Sequence, residues 1–86
     1  PWLDRGERVS VEFSKLDLTS GLLMLPIGKD HGIEQKMRFA VRAEGQSICQ
    51  VEIKKVGFDH CVAMIIPLLG NPSKLEEFSK LDLIYL

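Results

Sequence analysis

Apolar and polar side chains alternate along the middle of the chain. Cys49, Val51 and Ile53 are separated by single polar residues, which is the two-residue period of a β-strand with one face in water. At Lys54 and Lys55 the alternation shifts by one position. A β-bulge produces such a shift, because it inserts one extra residue into a strand and bends the sheet. The pattern therefore predicts a bulged strand at the centre of the fold.

A second core strand is predicted directly afterwards. The segment from Cys61 to Ile66 is apolar almost throughout, which is typical of a strand that is buried on both faces. The residues from Gly57 to His60 separate it from the bulged strand. They are predicted to form the turn between the two strands.

Two other segments alternate in the same way, and a third is a short apolar run. The alternating segments extend from Arg8 to Phe13 and from Lys36 to Ala43, and the apolar run extends from Leu22 to Ile27. Each is predicted to be a strand. The turn from Glu44 to Gln46 contains a glycine that tolerates a positive φ, and it predicts a hairpin with the bulged strand.

The C-terminal part of the chain changes period. Apolar residues recur at helical spacing between Leu75 and Leu81. Ser73 and Glu76 have the spacing of a capping box, in which each side chain accepts a hydrogen bond from a backbone N–H at a helix start. These features predict one amphipathic α-helix that packs on the sheet. Leu83 to Leu86 is apolar enough to form a strand instead, so the end of the helix stays open.

Together these elements predict a mostly β fold, namely a small five- or six-stranded antiparallel β-barrel or roll with one C-terminal α-helix. The 86 residues, of which 45% are hydrophobic and 27% charged, are typical of one globular domain. We therefore predict a single β-barrel domain over residues 1–86. Because the chain begins at Pro1 without a methionine, we also expect it to be a fragment of a longer protein.

One heptapeptide occurs twice. Glu-Phe-Ser-Lys-Leu-Asp-Leu occupies both Glu12 to Leu18 and Glu77 to Leu83. The two contexts predict a strand that runs into a turn for the first copy and a helix for the second, since tertiary context can override local propensity. Two copies are too few to define a repeat architecture.

The charge balance argues against strongly charged partners. The 11 basic and 12 acidic residues give a net charge of −1, so the sequence predicts binding neither to nucleic acid nor to a membrane. Arg38 and Arg42 share one predicted strand face, but glutamates are interleaved with the basic residues and no stacked aromatics accompany them. Nucleic-acid-binding sheets usually expose aromatic side chains. A solvated surface is the favoured interpretation.

The apolar runs and the cysteines indicate a cytoplasmic protein. The longest apolar run, from Cys61 to Leu69, is interrupted by Pro67 and has about half of the ~20 residues that a membrane-spanning helix needs. Cys49 and Cys61 are predicted to be buried, reduced thiols. A single disulfide between neighbouring strands is the alternative for these two residues.

Few residues are candidates for catalysis. His31, His60 and Cys61 are candidates for a thiol or metal-dependent enzyme, but they lack the closely spaced ligand pairs of zinc sites. A thiol nucleophile also needs a histidine from across the fold. Neither common phosphate-binding glycine motif is present. The sequence therefore predicts no catalytic residues, no metal and no cofactor.

The order of the elements resembles that of a PilZ domain. The resemblance rests on an arginine-bearing lead-in, the segment Asp17-Leu-Thr-Ser-Gly-Leu-Leu-Met-Leu25, the later strands and a closing helix. PilZ domains are six-stranded β-barrels that commonly bind the bacterial messenger cyclic-di-GMP. They do so through an Arg-x-x-x-Arg lead-in and an Asp/Asn-x-Ser-x-x-Gly turn. The resemblance therefore implies a bacterial protein.

This chain departs from both motifs. Arg5 and Arg8 are one residue closer together than in the family pattern, and the turn has Thr19 in place of serine and one residue fewer before Gly21. By resemblance, the ligand site consists of Arg5, Arg8, Asp17, Thr19 and Gly21, with the arginines on phosphate and guanine. The departures imply that nucleotide binding is lost or weakened. Family members of that kind serve as protein-interaction modules.

We therefore predict a non-catalytic regulatory or protein-interaction module. Its partner is expected to be another protein or a second copy, bound at an exposed edge strand, either Arg8 to Phe13 or Lys36 to Ala43. The first alternative is a cyclic-di-GMP receptor domain that uses the ligand site implied by the resemblance. The second alternative is a thiol or metal-dependent enzyme built on Cys61, His60 and His31.

Overall fold

The computed structural model describes residues 3–13 and 15–86 and contains seven β-strands, which form one antiparallel sheet. The strands are β1 (Arg8–Glu12), β2 (Lys15–Asp17), β3 (Leu22–Leu25), β4 (Arg38–Ala43), β5 (Gln46–Val56), β6 (Cys61–Ile65) and β7 (Lys80–Tyr85). Short 3₁₀ helices at Lys29–His31 and Pro72–Glu77 lie between β3 and β4 and between β6 and β7. The predicted mostly β class is confirmed.

The sheet is curled, as its strand order requires. The order across the sheet is β1-β7-β4-β5-β6-β3-β2, so β1 and β2 lie at opposite ends. In the chain, however, only Phe13 and Ser14 separate them, and the three Cα-to-Cα steps across this link reach at most about 11 Å. The end of β1 and the start of β2 must therefore come close to each other, so the sheet is curled into a barrel-like shape.

The bulge lies where the hydrophobic pattern predicts it. β5 pairs with β6 through Val51 and Ile53, and the register then shifts between Ile53 and Lys55. The extra residue is therefore Lys54, at the position where the alternation shifts. β5 has 11 residues, and the bulge bends this long strand around the core. The predicted bulge is confirmed.

β4 and β5 form the predicted hairpin. Glu44 and Gly45 connect them, and their φ angles are 49° and 77°. A two-residue turn with both φ angles positive has the twist that antiparallel strands prefer. Gly45 adopts this conformation freely, whereas Glu44 has a Cβ atom and adopts it at a cost of about 1 kcal/mol.

The predicted C-terminal α-helix is wrong. A 3₁₀ helix of six residues covers Pro72–Glu77, and the hydroxyl of Ser73 donates to Asn71 Oδ1 at 2.6 Å with no side-chain cap on the helix. The strand β7 follows. No helix in the described part of the chain is long and apolar enough to cross a membrane.

Long-range pairing explains why the last segment is a strand. β7 lies between β1 and β4 and pairs with both. An α-helix at this place would leave each of the two neighbours without hydrogen-bond partners on one side, which is costly for backbone groups. The helical spacing of a few leucines is a weak preference by comparison, and tertiary pairing overrides it.

The strand count is higher than the predicted five or six. The hydrophobic pattern gives β7 only as the alternative strand from Leu83 to Leu86, which overlaps its second half. It misses β2, which has only three residues and is too short to display an alternation. The strand predicted from Leu22 to Ile27 is shorter in the structure, because it ends at Leu25 before Pro26. Proline has no N–H to give to a ladder.

Both copies of the repeated heptapeptide place Lys-Leu-Asp in a strand. The first copy contributes Lys15–Asp17 to β2 and then enters a turn, so the predicted change from strand to turn occurs, but after a second short strand that was not predicted. The second copy contributes residues 80–82 to β7, so the helix predicted for it is wrong. The two copies also meet in the sheet, where Glu12 pairs with Lys80.

β1 is an end strand of the sheet, as predicted for the segment from Arg8 to Phe13. β4 is not an end strand, because it lies between β7 and β5 and pairs with both. The alternative prediction, an exposed edge strand at Lys36 to Ala43, is therefore wrong.

The core lies inside the curl. Phe39, Val51 and Ile53 are predicted to point inward, and each is 0% exposed. Phe58 continues the alternation in the sequence, but it lies in the turn after β5 and is 74% exposed. None of the described residues with a polar or charged side chain is buried. The polar groups available for function in the described residues therefore lie on the surface.

Candidate functional site

The side of β1 that faces away from β7 has no neighbouring strand among the residues that the structure describes. The N–H of Tyr85 donates to the C=O of Glu7 at 3.1 Å, so the C=O of Glu7 faces β7. In an antiparallel pair, the backbone groups of successive residues point alternately toward the partner strand and away from it. Val9 and Val11 therefore also direct their backbone groups to β7.

The residues between the valines point the other way. Arg8, Ser10 and Glu12 present their backbone N–H and C=O groups to the open side, and we call this row of groups the β1 edge. The side chains of Arg8 and Glu12 are 61% and 70% exposed. An exposed row of unpaired strand groups is a template on which another extended chain can pair.

The charged side chains beside the β1 edge are loosely paired with β7. Arg8 Nη1 lies 3.9 Å from Asp82 Oδ2, and Glu12 Oε1 lies 4.0 Å from Lys80 Nζ. Exposed ion pairs of this length contribute little to stability. Between them, the hydroxyl of Ser10 donates to Asp82 Oδ1 at 2.6 Å. The strand thus has a positive start, a neutral centre and a negative end.

The opposite end of the sheet is less suited to strand addition. β2 has only three residues, and Glu76 of the second 3₁₀ helix lines the groove beside Leu16 and Asp17. Short end strands and covering segments are two ways in which proteins protect sheet edges. β1 is longer, with five residues, and is the better candidate for an interaction site.

Four apolar side chains lie next to one another on the outer face of β3 and β6. Leu22 is paired with Met64, and Met24 is paired with Val62. All four are partly exposed, whereas their neighbours along each strand are buried in the core. Apolar patches of this kind are common on interaction surfaces. This cluster is a second surface suited to protein binding, but its chemistry does not select one partner.

The two arginines of the PilZ-like lead-in lie beside β7. Arg5 Nη1 donates to the C=O of Leu86 at 2.8 Å, and its guanidinium carbon lies 5.4 Å from the centroid of the Tyr85 ring. This hydrogen bond and the cation–π contact hold Arg5 against the C-terminal end of the chain. Arg8 of β1 points toward Asp82 of β7.

The other three residues of the predicted ligand site form one turn after β2. Asp17 Oδ1 accepts a hydrogen bond from the N–H of Thr19 at 3.0 Å, and the C=O of Asp17 accepts one from the N–H of Gly21 at 2.8 Å. Gly21 has a φ of 74°, which glycine adopts without strain. The Asp17 carboxylate therefore serves to close its own turn.

The structure does not join these two groups. Asp17, Thr19 and Gly21 lie together, but no hydrogen bond or ion pair between described residues links Arg5 or Arg8 to their turn. Binding of cyclic-di-GMP stays a prediction.

The surroundings of Cys61 do not favour catalysis. Its side chain is 0% exposed, and burial raises the pKa of its thiol to about 11, so little reactive thiolate is present at neutral pH. His60 and His31 are each within hydrogen-bond distance of the aspartate that precedes them, at 3.2 Å and 2.9 Å. Residues 3–13 and 15–86 contain no group of three or more His, Cys, Asp or Glu side chains arranged to hold a metal ion.

The two cysteines cannot form a disulfide in this fold. Both are free and buried, as predicted. Cys61 pairs with Val56 at one end of the β5–β6 ladder, whereas Cys49 lies seven residues before Val56 in β5. Seven residues of strand extend on the order of 20 Å. The Cα atoms of a disulfide are only about 4–7 Å apart.

Sequence reasoning finds the edge strand but misses the role of Ser10. The available signal is its position at the centre of Arg-Val-Ser-Val-Glu, in which valines flank it and opposite charges end the strand. The pattern does not contain the hydrogen-bond phase, that is, which residues of β1 direct their backbone N–H and C=O groups toward β7 and which direct them away. The phase depends on which side of β1 is occupied by β7, a strand that is distant in the sequence.

Comparison of the chain with models of protein families, with curated proteins and with solved structures finds no match in any of the three. The resemblance to PilZ domains therefore stays a prediction, and the function is argued from the geometry of this chain.

Proposed function

We propose that this protein is a non-catalytic protein-interaction module that accepts an extended segment of a partner at the β1 edge. The observation that carries the proposal is the hydrogen bond from the N–H of Tyr85 to the C=O of Glu7. Continued along the β1–β7 register, its alternation turns the backbone groups of Arg8, Ser10 and Glu12 away from β7. A strand added on this side satisfies those groups and extends the sheet by one strand.

Strand addition also fits the side-chain chemistry. Main-chain hydrogen bonds provide affinity in this mode of binding, and side chains at alternate positions provide specificity. Arg8 and Glu12 supply opposite charges at the two ends of the strand, and Ser10 leaves its centre small and uncharged. We therefore expect a partner segment with an acidic residue opposite Arg8 and a basic residue opposite Glu12.

Other parts of the proposal rest on other observations. The apolar cluster of Leu22, Met24, Val62 and Met64 is suited to contacts with a protein. A regulatory role inside a larger bacterial protein rests on the sequence resemblance alone. A cytoplasmic location rests on the two reduced thiols, which are typical of reducing compartments.

A peptide titration tests strand addition. The probe is an acetylated and amidated peptide with the sequence of β7, Lys80–Tyr85, which already pairs with β1 from the other side. In that register it places its lysine opposite Glu12 and its isoleucine opposite Arg8, so it tests the backbone pairing and not the full charge pattern. The amide NMR signals of Arg8, Ser10 and Glu12 are expected to shift on titration. Hydrogen exchange at the same amides is expected to slow, because they gain partners.

The matched control is Ser10→Pro. Proline removes the N–H at the centre of the β1 edge, but this N–H points away from β7, so the β1–β7 ladder keeps its hydrogen bonds. The variant is expected to fold and to lose the response to the peptide. Shifts that persist in Ser10→Pro, or no shift at the wild-type edge with millimolar peptide, would contradict the proposal.

A further inference from the structure

We propose that the strand accepted at the β1 edge is β1 of a second copy of this protein. The inference rests on the proposed function, because it requires the β1 edge to accept a strand. In the dimer, the two β1 strands run antiparallel about a twofold axis. Ser10 lies opposite Ser10 of the second copy.

The charges of β1 are self-complementary in this arrangement. The strand reads Arg-Val-Ser-Val-Glu from residue 8 to residue 12. When two copies are antiparallel and centred on Ser10, each Arg8 lies opposite Glu12 of the other copy, and each Val9 lies opposite Val11. Opposite charges that face each other across a strand pair are stabilising, whereas like charges are destabilising. The dimer contains two such Arg–Glu pairs, one at each end.

The hydrogen-bond phase agrees with the charge pattern. Two strands can pair only if the residues opposite each other direct their backbone groups to the shared side. Arg8, Ser10 and Glu12 are the residues whose backbone groups face the open side, since the C=O of Glu7 accepts from Tyr85 of β7 and the direction alternates from there. In the centred register these same residues form three opposed pairs, which exchange about six backbone hydrogen bonds.

Other registers satisfy fewer conditions. A shift by one residue places residues whose backbone groups face the open side opposite residues whose backbone groups face β7. A shift by two residues keeps the backbone groups of the two strands directed at each other, but it loses one of the three opposed residue pairs. It also places a charged residue opposite Ser10. A parallel arrangement in register places Arg8 beside Arg8 and Glu12 beside Glu12, which is unfavourable. Only the antiparallel register centred on Ser10 allows the backbone groups to form hydrogen bonds and also places opposite charges across from each other.

The twofold arrangement also closes the assembly at two copies, since both β1 edges are consumed in one contact. The other end of the sheet is the three-residue strand β2, which is too short to extend the pairing readily. Two five-residue strands form a small interface. We therefore expect weak association, with a dissociation constant on the order of 100 μM.

Sedimentation velocity on charge-exchange variants tests the proposal. The wild type is expected to pass from a 9.7 kDa monomer to a dimer between about 10 μM and about 1 mM protein. Arg8→Glu places two acidic side chains opposite each other at both ends of the interface, and Glu12→Arg places two basic ones there. Each variant is expected to weaken the dimer at least about tenfold.

Two further samples restore the opposite charges. The double variant Arg8→Glu/Glu12→Arg is expected to dimerise like the wild type. An equimolar mixture of the two single variants is expected to form a heterodimer, because one copy is acidic at both ends and the other is basic at both. Neither single variant dimerises well alone. Recovery in the mixture therefore cannot arise from improved folding, and thermal melting of each variant confirms that it is folded.

Two outcomes would overturn the inference, and both leave the proposed function testable. A wild type that stays monomeric at ~1 mM excludes the dimer. Association that the charge exchange does not alter excludes this interface. If the Lys80–Tyr85 peptide still shifts the amide NMR signals of the β1 edge, strand addition holds and only the identification of the second copy as the partner is wrong. If the peptide also fails, the proposed strand addition is wrong as well.

Discussion

Glu12 lies directly opposite Lys80 in the β1–β7 ladder, with Glu12 Oε1 4.0 Å from Lys80 Nζ. The two residues belong to the two copies of one heptapeptide, in which they are the first and the fourth residue. The ion pair itself is exposed and adds little stability. What holds the second copy extended is the backbone pairing of β7 with β1 on one side and with β4 on the other.

The two copies also differ in how deeply their first leucine is buried, which provides a matched test. Leu81 is 1% exposed, whereas Leu16, at the same position of the first copy, is only partly buried against the core. We expect Leu81→Ala to lower the free energy of unfolding by about 3 kcal/mol and Leu16→Ala by about 1 kcal/mol. Urea denaturation measures both losses. Equal losses would contradict the difference in burial between β2 and β7.

Local sequence pattern predicts this fold where a strand is long enough to show its period. β1, β4 and β5 each have several alternating residues, and even the bulge at Lys54 leaves a visible shift of phase. β2 has three residues and shows no period. β7 is predicted only as an alternative, for another reason. Leucines near the start of β7 also match a helical spacing, and only pairing with two strands that are distant in the sequence decides between the alternatives.

The candidate site is predictable only in part. The sequence names β1 as one of two possible edge strands, and only the pairing of β4 with both β7 and β5 excludes the other. The contacts of Arg5 do not follow from sequence spacing, because they are made with Tyr85 and Leu86 at the other end of the chain. A motif match gives residue types in order. It does not determine whether the strands that carry them bring the side chains together.

The hairpin turn between β4 and β5 gives a prediction about backbone strain. Glu44 has a φ of 49°, and asparagine tolerates this conformation better than glutamate. Glu44→Asn is therefore expected to raise the free energy of unfolding by about 0.5 kcal/mol. Gly45→Ala is expected to lower it by about 1 kcal/mol. No atom lies within 4 Å of the Cβ position at Gly45, so this loss reflects backbone conformation alone.

Thermal melting separates the two turn variants. For a chain of this size, a change of 1 kcal/mol moves the melting temperature by about 4–8 °C. Glu44→Asn is expected to melt above the wild type and Gly45→Ala below it. A lower melting temperature for Glu44→Asn would mean that the glutamate side chain makes a stabilising contact that outweighs its backbone strain.

The two buried thiols predict a loss of stability in alkali. Burial raises the pKa of Cys49 and of Cys61 to about 11 in the folded protein, whereas the unfolded chain releases these protons nearer pH 8.5. A thiol with a raised folded pKa has its full stabilising effect below the unfolded pKa, and the effect is lost as the pH rises toward 11. Between these values the free energy of unfolding is expected to fall by about 1.4 kcal/mol per pH unit for each thiol.

Denaturation at several pH values between 7 and 11 measures this slope, and cysteine variants assign it. Lysine and tyrosine side chains also titrate in this range, so the quantity to compare is the difference between variant and wild type at each pH. Cys61→Ala is expected to remove half of the thiol slope, and Cys49→Ala/Cys61→Ala all of it. If the slope of the double variant equals that of the wild type, the thiols do not cause the alkaline loss.

Calorimetric titration with cyclic-di-GMP distinguishes the interaction module from the nucleotide receptor. We expect no heat of binding and no shift in melting temperature at high micromolar nucleotide. Asp17 Oδ1 is engaged by its own turn, and the guanidinium of Arg5 is held by Leu86 and Tyr85. A ligand would have to break these contacts before it gained its own. If the wild type does bind, Arg5→Ala and Asp17→Ala report whether the two groups act together. Loss of binding in both variants would show that the chain rearranges to form one site, and the receptor function would then replace strand addition as the better-supported proposal.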